Sequence, residues 1–184
     1  TQLTMNLIKD FAEKNNGYYK EENIKNVFSI LGRMVYQPKR AKFLIAGSKI
    51  SINHDEVGGA IPTAEPYRIT LHLTDKNKET LDIYPVTFLE KVIYKLLPAK
   101  NKKLKIKYLF KGNEKFTTQL IKDKLLVSQL KKEKVYIRIP KENTSKIVLT
   151  PPHGIEDASQ LKNLIEILKS IEVKIITYGT SGNH

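Results

Sequence analysis

Apolar residues recur every three or four positions in four stretches of the chain, a spacing typical of helices with one buried face. Residues 15–17 supply a stop for the first helix, and Asp157, with Gln160 three residues later, has the residue types of a capping box for the last. The predicted helices lie at residues 4–16, between Pro85 and Pro98, around the inward residues Phe116, Leu120, Ile121 and Val127, and from Asp157 through Ile171.

Shorter apolar or alternating runs, bounded by Gly, Pro or polar turns, are typical of strands. They lie at residues 42–46, 48–52, 67–73, 80–84, from 103 to near Gly112, and at 135–139, 146–150 and 173–178. Gly47, between the first two runs, predicts a hairpin. Two interpretations stay open before it: the apolar residues of 24–34 fit a helical face, whereas residues 33–36 fit an extended strand.

These elements predict an α+β fold, in which a mainly antiparallel sheet packs against helices. We expect a single domain over residues 1–184, because neither half is long enough to bury its sheet alone. Three strands of the first half match three of the second in the same order and at nearly equal offsets. The matches predict a duplicated strand–spacer–strand–strand–helix unit, with similar halves at 35–98 and 103–178 after the helix at 4–16. Chance similarity among amphipathic elements is the alternative.

The order of these elements resembles that of uncharacterised bacterial α+β domains, some of them carried by membrane-anchored proteins. The resemblance consists of an opening helix, a strand that ends in Gly, a strand pair and a helix, followed by a second similar round. It covers most of the chain and implies a bacterial α+β domain with no assigned activity. It transfers no functional residue to this sequence.

The chain is strongly basic: 32 Lys and Arg residues stand against 19 Asp and Glu, a formal net charge of +13. Such an excess attracts a polyanion, either nucleic acid or an anionic membrane surface, and it also confers solubility. Arginine occurs only at Arg33, Arg40, Arg68 and Arg138. Because lysine acts as a mobile point charge rather than a bidentate fork, the composition favours non-specific attraction over sequence-specific recognition.

The most basic segment of the sequence, residues 100–115, contains the strand predicted from 103 to near Gly112. Alternation places Tyr108 toward the core and the neighbouring lysines on the opposite face. The candidate polyanion-binding residues are Lys103, Lys105, Lys107, Lys111 and Lys115. In one interpretation they follow a phosphate backbone, with aromatic residues available for stacking. In the other they protect an edge strand from aggregation.

Two clusters containing His suggest the alternative of a hydrolase-like enzyme. His54, Asp55 and Glu56 have the chemistry of an acid–base pair or a divalent-cation site, although adjacent residues of an extended chain point to opposite faces. His153 precedes a predicted helix N-terminus, where an anion would meet backbone N–H groups, but nearby carboxylates would repel phosphate. His72 is expected on the solvent-facing side of its strand.

No motif of nucleophilic, zinc-protease or phosphate-loop chemistry occurs in the chain. We therefore expect no catalytic residue, no metal ligand and no cofactor, and a binding domain with an anionic partner rather than an enzyme. A third alternative is a structural domain that binds a protein partner through an exposed apolar patch.

Cysteine is absent, which excludes thiol catalysis, cysteine-ligated zinc and disulfides. No apolar stretch approaches a membrane span, and no signal-peptide segment opens the chain. We expect a cytoplasmic protein, or the soluble part of a longer, membrane-associated one. Thr1 in the first position fits a processed chain or a piece of a longer protein.

Overall fold

Ten strands and four helices are present in the computed structural model, which describes residues 2–29, 32–55, 67–75, 77, 79–87 and 107–181. The strands are β1 (Tyr18–Glu21), β2 (Lys25–Ser29), β3 (Gly32–Tyr36), β4 (Pro38–Ile45), β5 (Ser48–Asp55), β6 (Tyr67–His72), β7 (Leu81–Pro85), β8 (Tyr108–Gly112), β9 (Tyr136–Ile139) and β10 (Lys146–Thr150). The helices are α1 (Gln2–Lys14), α2 (Glu114–Lys122), α3 (Lys124–Lys132) and α4 (Ala158–Ser181).

Eight of these strands pair into one antiparallel sheet in the order β1-β4-β5-β6-β10-β9-β7-β8, and β2 and β3 form a separate hairpin. Buried side chains from all four helices join those of one sheet face in a single apolar cluster. The predicted α+β fold, a mainly antiparallel sheet packed against helices, is confirmed. The β2–β3 hairpin also shows that the extended interpretation of residues 33–36 is correct.

The β4–β5 hairpin turns through Ala46 and Gly47, as the sequence predicted. Both residues have positive φ, at 46° and 80°. A two-residue turn of this kind matches the right-handed twist of the flanking strands, and glycine adopts it without steric cost. The turn therefore fixes the register in which Ile45 faces Ser48.

Side chains alternate along each strand, so the register gives the sheet two different faces. The apolar face carries buried Ile, Leu, Phe and Tyr side chains on neighbouring strands: Phe43, Ile50, Ile52, Ile69, Leu71, Ile137, Ile147, Leu149, Ile83 and Phe110. The four helices pack on this face. Each such side chain contributes about 1.5–3 kcal/mol when fully buried, so the helix layer and the sheet stabilise each other.

The strand predicted at 173–178 is wrong, because α4 continues without a break to Ser181. The β-branched residues of this segment suggested a strand, but the buried positions keep helical spacing from Leu168 through Ile171 to Ile175. Val173 and Ile176 are exposed on the outer side of the helix. Packing against the sheet therefore overrides the weaker local preference. Among the described residues, no helix combines the length and apolarity needed to cross a membrane.

The single helix predicted around Phe116 and Val127 is also wrong, because two helices meet at Asp123. The carboxylate of Asp123 accepts from the N–H groups of Leu126 and Leu125, at 3.1 and 3.0 Å, and caps α3. The Leu126 N–H, and next the Lys174 ammonium, lower the pKa of Asp123 against the opposing effect of burial. Its stabilising effect is therefore present above the usual aspartate pKa and is lost as the pH falls through the lowered value.

Other predicted boundaries shift, and some lie outside the described residues. The strand predicted from residue 103 to near Gly112 begins at Tyr108, and its predicted end at Gly112 is correct. Pro85, predicted to begin a helix, is the last residue of β7, and residues 88–106 are outside the described part of the chain. In the sheet, β7 lies between β8 and β9, so strands of both predicted halves alternate in one layer. The duplication itself stays a prediction.

A buried ion pair holds the β4–β5 turn against α4. The Ser48 hydroxyl donates to the Glu172 carboxylate, with O···O distances of 2.7 and 2.9 Å. The Lys169 ammonium donates to Glu172 at 2.8 Å and to Ser48 Oγ at 2.5 Å. Ser48 and Glu172 are each only 7% exposed. Because the ammonium is paired with a carboxylate, this Ser–Lys–Glu cluster is a structural contact rather than a nucleophile beside a neutral base.

Replacing Asp123 with Ala is expected to lower the free energy of unfolding by about 1–2 kcal/mol, because α3 loses its N-cap. The matched control is Asp123→Asn, whose amide oxygen keeps the cap while the ion pair to Lys174 is lost. Urea denaturation of both variants tests this. Equal losses would contradict the capping role and assign the stabilisation to the ion pair.

Replacing Glu172 with Ala is expected to cost about 3 kcal/mol or more of unfolding free energy, because it leaves Lys169 without its carboxylate in a mostly buried position. Glu13→Ala is the control, since Glu13 forms an exposed pair with Lys9 at 4.0 Å and should cost about 0–1 kcal/mol. Thermal and urea unfolding report both values. Similar small losses would show that the buried pair does not hold the turn.

Candidate anion-binding face of the sheet

The face of the sheet opposite the helices is polar and carries a continuous row of cross-strand neighbours. The row runs through all eight strands as Tyr18, Lys42, Ser51, Thr70, Val148, Arg138, Asp82 and Lys111. Side chains directly opposite one another in such a row lie about 4.5–5.5 Å apart at Cβ. The register therefore brings charges from distant parts of the chain onto one surface.

We call this surface the basic face, and its cations are Lys20, Arg40, Lys42, Lys49, Arg68, Lys111, Arg138 and Lys146. The carboxylates of Asp55 and Asp82 share this face, at strand positions whose side chains point the same way. All three arginines whose side chains are described lie here, whereas nothing is described of the Arg33 side chain. Eight described cations thus share one face of the sheet, while many described lysines lie on the helices and loops instead.

Arg40 is held by carboxylates from two other segments of the chain. Its Nη1 lies 2.9 Å from Asp55 Oδ1, and its Nε lies 3.5 Å from Glu22 Oε1. The Glu22 pKa is lowered, first by its hydrogen bond to Lys25 and further by the charge of Arg40. Arg40 therefore links β4 to β5 and to the segment after β1.

Aromatic and apolar side chains interrupt the basic face. Tyr18 and Tyr136 are 57% and 47% exposed, so their rings are accessible. The Lys111 ammonium lies 5.0 Å from the centroid of the Tyr84 ring, within cation–π range. Leu109 and Val148 are buried on this face, separately from the main apolar cluster. Flat aromatic surfaces and cations therefore occur together on the same side of the sheet.

His72 lies half-buried on this face, between two lysines. Its cross-strand neighbours are Lys49 of β5 and Lys146 of β10, and its Nε2 lies 2.9 Å from Ser51 Oγ. Burial lowers the pKa of His72, and the positive charges of Lys49, Lys146 and Lys42 lower it further. The sequence predicted only a solvent-facing histidine. In the structure, lysines on β4, β5 and β10 place their positive charges around it.

The lysines predicted as polyanion-binding do not lie on one surface. Lys111 is on the basic face, and Lys107 is exposed immediately before β8. Lys115 lies on α2, on the helical side of the sheet, while Lys103 and Lys105 are outside the described residues. Because β8 is an edge of the sheet, protection of an edge strand remains the alternative for Lys107 and Lys111.

The core orientation expected for Tyr108 is confirmed. Its ring is 2% exposed, and its hydroxyl donates to the Glu133 carbonyl at 2.6 Å and accepts from the Val135 N–H at 3.0 Å. Burial raises the pKa of this hydroxyl to about 12. Tyr108 therefore fixes the segment between α3 and β9 against β8 and is not available for stacking on a ligand.

The residues predicted for an enzyme site are not brought together. His54 and Asp55 point to opposite faces of β5: His54 stacks on Tyr67 in the core, with ring centroids 4.0 Å apart, and Asp55 pairs with Arg40. Glu56 is outside the described residues. His153 is exposed in the turn before α4. In the part of the chain that the structure describes, no three His, Asp or Glu side chains form a metal-binding group.

Exposed apolar side chains also occur on the helical side, where the sequence allowed a protein-binding patch. Leu125 and Val173 are 64% and 52% exposed and line one open depression between α3 and α4, together with charged Glu166 and Lys169. The presence of these charges divides the apolar surface. The basic face is therefore the stronger candidate site.

Replacing Lys49 with Gln is expected to raise the pKa of His72 toward 6.5, its usual value, because one of the charges opposing protonation is removed. Because folding lowers the pKa of His72, the unfolded chain binds this proton at a higher pH than the folded protein does. As the pH falls, protonation of His72 therefore lowers the free energy of unfolding. An NMR titration of the imidazole measures the pKa, with Lys132→Gln on α3 as control. An unchanged pKa in Lys49→Gln would show that the charge of Lys49 does not contribute to the lowering.

Comparison with known proteins adds no assignment. No family model, curated protein or solved structure matches the chain. The resemblance to bacterial α+β domains therefore stays a prediction, and the basic face is interpreted from its own residues.

Proposed function

We propose that this protein is a non-enzymatic binding domain that holds single-stranded nucleic acid across the basic face. The observation that carries the proposal is the placement of Arg40, Arg68 and Arg138 on the same face of the sheet. Guanidinium groups recognise phosphate bidentately, and lysines add a non-specific attraction along the backbone. Arg40 is held by carboxylates, so Arg138 is the arginine proposed first to bind phosphate.

The dimensions of the basic face support a ligand with several phosphates. Eight strands at the usual spacing span about 34 Å, and cations occur on seven of them. A single phosphate or a small metabolite would engage only a fraction of these charges. A polyanion that crosses the strands would engage most of them at once.

The exposed tyrosines favour a single strand over a duplex. Tyr136 lies beside Arg138 along β9, and Tyr18 faces Lys42 across the β1–β4 pair. An unpaired base can stack on a tyrosine ring while its phosphate meets the neighbouring cation, whereas bases in a duplex are already stacked. Every base has an aromatic face, so this mode of binding tolerates different sequences.

Replacing both Lys42 and Arg138 with Gln is expected to weaken binding of labelled oligothymidylate at low salt at least tenfold. The slope of log affinity against log salt should fall by about 0.7 for each phosphate contact removed. The matched control replaces Lys115 and Lys132, exposed cations on the helical side, and removes the same charge. Fluorescence anisotropy over a salt series measures both quantities.

Equal losses in the two double variants would contradict the proposal, because they would show that total charge rather than the basic face controls binding. Absence of oligothymidylate binding at low salt would also overturn it. A duplex competitor and vesicles containing anionic lipid are included in the same assay. Preferential binding to either would overturn the single-strand assignment and identify the anionic partner instead.

A further inference from the structure

The basic face contains one place where three groups suited to a single phosphate are adjacent. Lys49, His72 and Lys146 occupy facing positions on the neighbouring strands β5, β6 and β10. Facing Cβ atoms in an antiparallel sheet are about 4.5–5.5 Å apart, so the two lysines flank the imidazole. An anion above His72 would meet an ammonium group from each side.

The charges around this trio are unbalanced in the described part of the chain. The charged groups acting on His72 are Lys49 from β5, Lys146 from β10 and Lys42 from β4. None of these three lysines forms an ion pair with a described carboxylate. The polar partner of the imidazole is the Ser51 hydroxyl, 2.9 Å from Nε2. The local positive charge is therefore not neutralised by the fold.

We propose that Lys49, His72 and Lys146 form a phosphate site that binds one phosphodiester of the nucleic acid and takes up a proton at His72 when it does so. This inference rests on the proposed function and specifies how one part of the basic face contributes to it. The ligand class is a phosphodiester group within a polyanion.

The chemistry follows from the donors available before and after protonation. A neutral imidazole has one N–H group and one acceptor nitrogen, so it offers a phosphate at most one uncharged hydrogen bond. A protonated imidazole donates from both nitrogens, so Nε2 can donate to Ser51 while Nδ1 donates to phosphate. The bound anion also offsets the lysine charges that oppose protonation. Binding and proton uptake at His72 therefore favour each other.

The test measures affinity for oligothymidylate between about pH 5 and pH 8 at constant ionic strength, where histidine titrates and thymine does not. Affinity is expected to rise as the pH falls, by about tenfold for each unit by which the bound pKa exceeds the free pKa. His72→Gln should bind with little pH dependence. His153→Gln, which removes an exposed histidine outside the basic face, should keep the full dependence.

NMR of the imidazole ring supplies a second readout on the unaltered protein. Saturating oligothymidylate should raise the pKa of His72. The Lys49→Gln variant should show a smaller rise, because the phosphate has lost one of its two flanking ammonium groups. Circular dichroism and thermal unfolding establish that each variant is folded before its affinity is compared.

The outcomes separate this inference from the proposed function. Salt-dependent binding with no pH dependence, and no change in the His72 pKa, would overturn the phosphate site while leaving the nucleic-acid-binding function intact. A pH dependence that persists in His72→Gln would equally overturn the role of His72. No binding of oligothymidylate at low salt would overturn the proposed function and this site with it.

Discussion

The structure depends on the register of the central antiparallel strands β5, β6 and β10. Because side chains alternate along a strand, a slip of one residue would turn Ile52 and Ile69 to solvent and move Arg68 toward the helix layer. Each buried apolar side chain stabilises the fold by about 1.5–3 kcal/mol, and an unpaired charge in the core is strongly unfavourable. The contacts that build the core therefore also place the cations together on the opposite face.

The described helices pack on only one of the two faces of the sheet, so these faces have different surroundings. The cap at Asp123 allows α2 and α3 to change direction, and the buried pair of Lys169 and Glu172 attaches α4 to the β4–β5 turn. With their apolar side chains directed into one cluster, the four described helices pack on the apolar face, opposite the basic face, whose central Ser51, Thr70 and Val148 are themselves buried. The alternation of side chains along the strands thus determines both how the helices pack and where the basic face lies.

The sequence predicted most strands because their apolar alternation is local, and it identified Tyr108 as a core residue for the same reason. It missed the continuation of α4, since β-branched residues at 173–177 have strand preference and only contact with the sheet shows that Ile175 keeps helical spacing. It also missed the basic face. No strand contributes more than two cations to this face, so no local run of basic residues is visible. The lysine-rich segment near 103–115 suggested a site at the end strand β8 instead. The local pattern does not show which strands pair. For example, β6 pairs with β10, although residues 73–145 separate them in the sequence.

The environment of His72 bears on why the basic face is interpreted as functional rather than as a solubility device. Cations spread over a surface raise solubility with little mutual repulsion. At His72, burial lowers the pKa first, and the positive charges of Lys49, Lys146 and Lys42 lower it further. This repulsion opposes folding, and no described carboxylate relieves it at these lysines. Functional sites are where proteins retain such unfavourable electrostatics, because the ligand supplies the missing charge. A polyanion on the basic face would provide that compensation, whereas an even distribution of the same lysines would not need it.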